Sequence, residues 1–404
     1  VGALSREVLS LMPGRPGPGG FTELQHLGVL VGVGVVIGLL VRYVGAPPDV
    51  ELLVDNIHVS GGNEEMRGLR SLIPVSLLSI AAGGTLGPEA PLVTTTGTLG
   101  TVLGRRSTLT TNQVRVVTIT GMAAGFTVLF GAPLGSAVFA LEILHRRGME
   151  YYEALLPAIV GSLCGWVVAS AVGTIGLEPL WTFPPLTELA SADIGWSVVA
   201  GAAGAAVAVS FTYLSIGLRR LIGVIPVDAR PALGGVALGL AAMVSPYALT
   251  NGELQIEHMT PTTMAAGTLL LAAGIKLLAA AVSLVSGWRG GFIIPLFFVG
   301  YCLGRAAHGH LPGAHEWAFV AGMMVAANVG VTKTPLGSTL VITEMAGLTL
   351  LPTTLIAAIV SLVLTSGVGL IHSQRQRFAV SDEGSGAHPE PDAPEPATRV
   401  EQRA

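Results

Sequence analysis

The sequence predicts an all-α polytopic membrane protein, on three observations. Of its 404 residues, 51% are hydrophobic and only 11% are charged, whereas soluble domains carry about 25% charged residues. Apolar segments follow one another almost without pause, at 27–44, 69–82, 90–104, 113–130, 133–145, 153–172, 194–218, 230–249, 263–286, 291–305, 317–329, 335–350 and 352–371. The 54 glycines lie inside these Val-, Leu- and Ala-rich runs, which excludes a collagen or a flexible linker protein. A mean hydropathy of +0.68 excludes a disordered chain. A soluble enzyme would need far more charge to cover its surface.

A helix crossing the hydrocarbon needs about 20 residues. Several of the segments fall short of that, and many are broken by Gly or Pro. Such segments belong to discontinuous helices, whose free ends are tolerated only beside a cavity or inside protein. Glycine also lets helices approach closely. The longest polar gap, around Gly176–Ala192, reads as a linker. The expected organisation is a polar segment at 1–26, a transmembrane body at 27–375, and a disordered Pro-, Ala- and Glu-rich tail at 376–404. No signal-peptide core precedes Phe21, so insertion is expected from the internal spans.

The body carries a repeat. Pro133-Leu134-Gly135-Ser136 is followed by Glu142, nine residues after the proline, and Pro335-Leu336-Gly337-Ser338 by Glu344 at the same interval. Gly121-Met122-Ala123-Ala124 precedes the first block and Gly322-Met323-Met324-Val325 the second. Earlier, Gly87 leads to Pro91 and Gly100, as Gly291 leads to Pro295 and Gly304. The separations from Pro91 to Pro133 (42) and from Pro295 to Pro335 (40) nearly agree. Two related halves are therefore expected, at 27–175 and 193–375, with a substrate site where they meet.

The two glycine–proline loops suggest what that site binds. A helix that starts inside the membrane points unpaired N–H groups and the positive end of its dipole into the cavity. That is an anion site made of backbone, whose partial charges allow release where a buried cation would not. For one loop alone, an ordinary packing kink is the simpler reading; the duplicated pair favours the anion site. Glu89, within Gly87-Pro88-Glu89-Ala90-Pro91, is an ionisable group among apolar segments and costs at least about 2.5 kcal/mol to insert. Its carboxylate can occupy the anion site, and protonation frees that site, which makes Glu89 a gate or a proton carrier. The plainer alternative is a capping Glu at a lipid–water boundary.

These residues resemble the CLC chloride channel and chloride/proton antiporter family. Gly87-Pro88-Glu89-Ala90-Pro91 is similar to its G-[K/R]-E-G-P motif, and Gly291-Phe292-Ile293-Ile294-Pro295 to G-x-F-x-P. Gly131-Ala132-Pro133-Leu134 with Phe139-Ala140-Leu141-Glu142 resembles N-A-P-L…F-x-x-E-E, and Thr334-Pro335-Leu336-Gly337 with Glu344-Met345 its second-half counterpart. The resemblance covers residues 27–375. It implies inverted helical repeats with discontinuous helices, in a homodimer with one anion path per subunit. It also carries the anion-lining role onto Gly87, Ala90, Gly291, Phe292 and Ile293.

The departures fall on functional positions. The first anion motif of the family, G-S-G-I-P, falls near Gly45-Ala46-Pro47-Pro48-Asp49, so Ala46 stands where a hydroxyl is usual. Ile293 replaces the phenylalanine of G-x-F-x-P, and the pore-lining tyrosine aligns with His372. Pro88 replaces the basic residue before the gating glutamate and removes a backbone donor. The inner proton-transfer glutamate of the antiporters falls on Ile143. Glu142 is the remaining proton-path candidate, but it points about 100° away from Ile143 on a helix. With Glu344 it also reads as a helix-end or interface residue. The expectation is anion transport gated by Glu89, leaning to passive or weakly coupled conduction, with chloride/proton antiport as the alternative.

An intramembrane hydrolase is the remote rival. It would need a nucleophile and base within the spans, and the nine histidines lie in loops or at span ends. No catalytic residue, metal site or cofactor is expected. Cys164 and Cys302 read as buried free thiols, and Lys276 as snorkelling to an interface or pairing with a carboxylate. A net charge of -4 gives no sign of a nucleic-acid partner. The expected partners are the lipid bilayer, an inorganic anion (chloride by default) and protons. Arginine pairs at 105–106, 146–147 and 219–220 and Arg375/Arg377 flank spans, which suggests a multi-pass cell-membrane protein with cytoplasmic termini. The short tail is expected to hold no folded regulatory domain.

Overall fold

The structure, a computed structural model, describes residues 23–47, 66–144, 152–173, 181 and 183–371. Among these there are fourteen α-helices. The first half holds α1 (Glu23–Val44), α2 (Met66–Ala81), α3 (Glu89–Arg106), α4 (Thr111–Phe130), α5 (Pro133–Glu142) and α6 (Leu155–Ala171). The second holds α7 (Ser191–Leu221), α8 (Arg230–Val244), α9 (Glu253–Met259), α10 (Ala266–Val285), α11 (Ile293–His308), α12 (Glu316–Thr332), α13 (Pro335–Ala346) and α14 (Leu351–Leu364). Only α9 has no counterpart among the expected apolar segments; at 7 residues, with two acids and a histidine, it lacks the run that would announce it.

Among the described residues, five stretches are long and apolar enough to cross a bilayer: Leu24–Val44, Thr111–Phe130, Tyr152–Ala171, Ser191–Val224 and Ala266–Val285. The shorter helices are held by neighbours. In α12 every residue from Ala318 to Thr332 is buried, so it needs no polar face. By contrast α6 exposes Leu156, Val160, Leu163 and Val167, as expected of a lipid-facing or partner-facing stripe. Cys164 lies on this exposed side, so only Cys302 is the buried thiol expected of both. The helix is apolar all round, and sequence does not say which side faces lipid.

Helix ends fix the repeat. The end of α4 turns on Gly131, at φ 66°, before Ala132 and Pro133 start α5. The equivalent turn after α12 is made by Lys333, at φ 62°, before Thr334 and Pro335 start α13. A side chain is costly in this left-handed region. Lys333 offsets that cost with its amine, which donates to Gly330 O (2.6 Å), Thr365 O (2.6 Å) and Thr365 Oγ1 (2.7 Å). Lysine therefore ties the C-terminal ends of α12 and α14 together.

The two halves lock where α5 crosses α13 antiparallel. Glu142, at the end of α5, accepts from the Leu336 and Gly337 N–H groups at 3.2 and 2.7 Å. Glu344 reciprocates on the Leu134 and Gly135 N–H groups at 3.2 and 3.1 Å. Each carboxylate thus satisfies the open N-terminus of the opposite half's helix. The crossing is too close for a side chain: a Cβ on Gly135 would lie 2.5 Å from Val341 N. The helix-end reading of Glu142 and Glu344 describes this placement.

The polar gap is less loose than its composition suggests. Trp181 is buried against Phe297, with ring centroids 6.2 Å apart, and its indole N–H donates to Glu253 O at 3.1 Å. Phe183 stacks on Trp317 at 4.9 Å. Lys276 does not snorkel, and it pairs with no carboxylate among the described residues. It is buried, donates to Leu249 O (2.9 Å) and Thr250 O (2.7 Å), and lies 4.9 Å from the Phe298 ring centroid. Two carbonyls turned inward after α8 solvate the ammonium, and nothing in the local sequence announces them.

Glu142→Ala is expected to destabilise the protein by about 1–3 kcal/mol, because two N–H donors lose their acceptor in a dry interface. Glu344→Ala, at a more exposed end, should cost less. Thermal unfolding of the purified variants in detergent checks the order; equal, negligible shifts would remove the reciprocal cap as a stabilising element.

Candidate anion site

The site is built from two loops that mirror each other. Gly87 N–H donates to Gly291 O at 2.8 Å and Gly291 N–H donates to Gly87 O at 2.7 Å, an isolated antiparallel bridge between the halves. Immediately beyond it, α3 begins at Glu89 and α11 at Ile293. The positive ends of two opposed helix dipoles therefore meet inside the protein. Neither start has a side-chain cap of its own.

Glu89 provides one from across the bridge. Its side chain is buried, and Oε1 accepts from Ile294 N–H at 2.8 Å. Oε2 has no hydrogen-bond partner among the described residues. The carboxylate sits where a bound anion would meet the start of α11. Glycine is required beside it, since a Cβ on Gly291 would lie 2.6 Å from Glu89 Cβ. The loop is steadied by Phe292, whose ring packs at 5.7 Å on Phe211 of α7.

A cavity adjoins this carboxylate. From α3 it is lined by Glu89, Ala90, Val93 and Thr94, and from the second loop by Gly291, Phe292 and Ile293. Met122 and Phe126 of α4 and Ile143, just past α5, complete the wall. Among the described residues, Glu89 is the only ionisable group lining it. In so apolar a surround, an anion's main partners are backbone dipoles, which act strongly where water is excluded.

Of the residues expected at the site, Glu89, Ala90, Gly291, Phe292 and Ile293 are brought together here. Gly87 stands behind them and forms the bridge. Ala46 does not line the cavity; it is exposed past the end of α1. Glu142 is also elsewhere, with both oxygens engaged by the start of α13. His372 lies outside the described residues. Val93, Thr94, Met122 and Phe126 were not expected as lining. Met122 belongs to a repeat landmark, but nothing in the landmark says which helix face looks inward.

One further contact bears on the missing basic residue at 88. Arg289, two residues before Gly291, donates Nη2 to Pro47 O at 3.1 Å, and its N–H donates to Ser79 Oγ at 3.1 Å. In the mirror position Thr85, two residues before Gly87, donates its hydroxyl to Ala248 O. Each loop is thus tied to the chain that follows α1 or α8 in the opposite half. Only the second tether carries a charge.

Comparison with known proteins agrees with this geometry. The chain is similar to a chloride/fluoride channel protein of Pseudomonas syringae pv. tomato, with 29% identity over 363 residues, covering 85% of this chain and 76% of that protein. Among solved structures, a CLC-type fluoride/proton antiporter shares the fold with a TM-score of 0.78 at 22% identity, covering 87% of this chain and 89% of that one. A slow cyanobacterial chloride/proton antiporter gives 0.76 at 17% identity, covering 91% and 88%. The model of the voltage gated chloride channel family matches residues 33–366. With opposed helix starts at its centre and that match across most of its length, the chain belongs to the voltage gated chloride channel family.

Proposed function

We propose that the protein carries a small inorganic anion across the cell membrane between the opposed starts of α3 and α11, with Glu89 as the gate. Chloride is the default substrate, and the name of the Pseudomonas relative adds fluoride. The observation that carries this reading is the Glu89 carboxylate on Ile294 N–H, beside a cavity with no other ionisable group in its wall among the described residues. Anion and carboxylate compete for one set of backbone donors. Ala90, Gly291, Phe292 and Ile293 line the route, and Gly87 fixes its geometry.

Passive or weakly coupled conduction is the favoured mechanism. Ile143 stands in the cavity wall at the position expected for a second glutamate, and an alkyl side chain cannot relay protons. Coupled anion/proton exchange is the second reading, favoured by Glu89 itself: a buried carboxylate leaves a positive helix end most readily by taking up a proton. The arginines at 105–106 and 219–220 support a cytoplasmic position for the ends of α3 and α7. The exposed apolar stripe on α6, with Ile359 and Val363 on α14, supports a homodimer.

Two measurements test the reading in liposomes holding the purified protein. Flux of chloride and fluoride should rise as pH falls from about 7.5 to about 5, because the protonated carboxyl releases the α11 start. Glu89→Gln, neutral throughout, should give a flat profile; an unchanged pH dependence in that variant removes Glu89 from the mechanism. A chloride gradient alone should drive little proton uptake. Sustained stoichiometric proton movement against its own gradient would establish exchange instead and overturn the role given to Ile143.

A further inference from the structure

A second cavity opens away from the anion site, between the end of α7, the turn Ile222–Val224 after it, α8 and the end of α10. Leu218, Ile222, Ile225, Leu233 and Val282 form much of its wall, and Arg230 is the only charged residue lining it among the described residues. Arg230 is held in place by backbone: Nε donates to Ile225 O at 2.9 Å and Nη2 to Gly223 O at 3.2 Å. Arg219 and Arg220 stand in the last turn of α7, one turn before Ile222, and both are exposed. None of these three arginines forms an ion pair with a carboxylate among the described residues. The nearby Asp228 is engaged by Arg42 at 3.6 Å. Leu221, Val224 and Val227 are exposed around the same turn. Bare apolar side chains beside unpaired arginines at a helix end mark a membrane–water boundary.

We propose that this cavity binds an anionic phospholipid of the adjoining leaflet, with an acyl chain between α8 and α10 and the phosphate on Arg230 and, at its rim, Arg219. Charge complementarity selects this occupant. Guanidinium forks match phosphate oxygens, and clustered basic residues at a bilayer face attract anionic lipid. The walls offer a soluble anion almost nothing beyond the arginine, whereas an alkyl chain fits them. A zwitterionic headgroup would bring its own cation against the cluster. The site is independent of which anion the protein carries.

An occupant would also touch the segment that leads to the anion loop. Ser286 lines the cavity, and a Cβ on the neighbouring Gly234 would lie 2.7 Å from Ser286 Cβ and 3.0 Å from Trp288 Cδ1. Trp288 Nε1 donates to Pro231 O at 2.9 Å, three residues before Gly291. A lipid seated here therefore braces the connection from α10 to α11.

Native mass spectrometry of the full chain in detergent tests the site, with dioleoylphosphatidylglycerol, dioleoylphosphatidylcholine and glycerophosphoglycerol as probes. Phosphatidylglycerol should be retained over phosphatidylcholine by roughly tenfold, and Arg219→Gln with Arg220→Gln, which leave the Arg230 backbone contacts alone, should bring that ratio towards one. Ala237→Phe fills the cavity and keeps every arginine, and should lose both lipids; Ala237→Leu serves the same end if the larger side chain prevents folding. Glycerophosphoglycerol should not bind. Equal retention of the two lipids by the parent, a preference that survives the arginine changes, or retention that survives a filled cavity would overturn the site. Headgroup-only binding as tight as phosphatidylglycerol would overturn it too, since the acyl chain would then contribute nothing.

Discussion

A helix that begins inside a bilayer leaves backbone N–H groups with no water to receive them, and this constraint organises the molecule. The chain meets it twice by reciprocity between its halves. At the α5–α13 crossing, each helix end supplies a carboxylate to the other's start. At the centre, Gly87 and Gly291 pair with each other, and Glu89 reaches across to Ile294. The first solution is complete and rigid. The second is one-sided, because α11 receives a side-chain carboxylate from the first half and Ile293, at the position equivalent to Glu89, has none to return. That asymmetry separates a structural joint from a site that a mobile anion can share.

The surroundings of Glu89 sharpen the competition. Apart from the Thr94 hydroxyl and the Met122 thioether, the cavity beside it is walled by alkyl, aryl and backbone groups, so the energy of any negative charge there depends on a few oriented dipoles. The side chain and an external anion draw on the same donors and cannot both be served fully. Lys276 and Lys333 show how the same protein treats charges that do not compete: each is buried, Lys333 on three oxygen acceptors and Lys276 on two carbonyls and the face of Phe298.

Much of this was legible in the sequence, because duplication prints the same landmarks twice. The pairing of the two glycine–proline loops and the helix-end role of Glu142 and Glu344 follow from matched spacing around prolines, and the burial of Glu89 from the apolar segments on either side of it. What escaped has a common cause. Ala46 was placed by alignment to a motif that this chain has largely lost, and it ends outside the cavity. Met122, Phe126 and Thr94 line the site through the rotation of helices apolar on every side, where periodicity carries no direction. Arg289 and Lys276 act on backbone carbonyls supplied by distant turns, and a carbonyl has no signature in a list of side chains. Cys164 failed for the reason opposite to the usual one: in a membrane, an apolar neighbourhood does not imply an interior position.

The aromatic pair in the linker has its own consequence. Trp181 and Phe183 belong by position to the stretch between the halves, yet they are wedged among Phe297, Tyr301 and Trp317 of the second. The seam left by duplication has thereby become masonry. Two pieces cut at that seam would not be two independent modules, since one of them would carry away an indole and a phenyl ring that the other uses as filling.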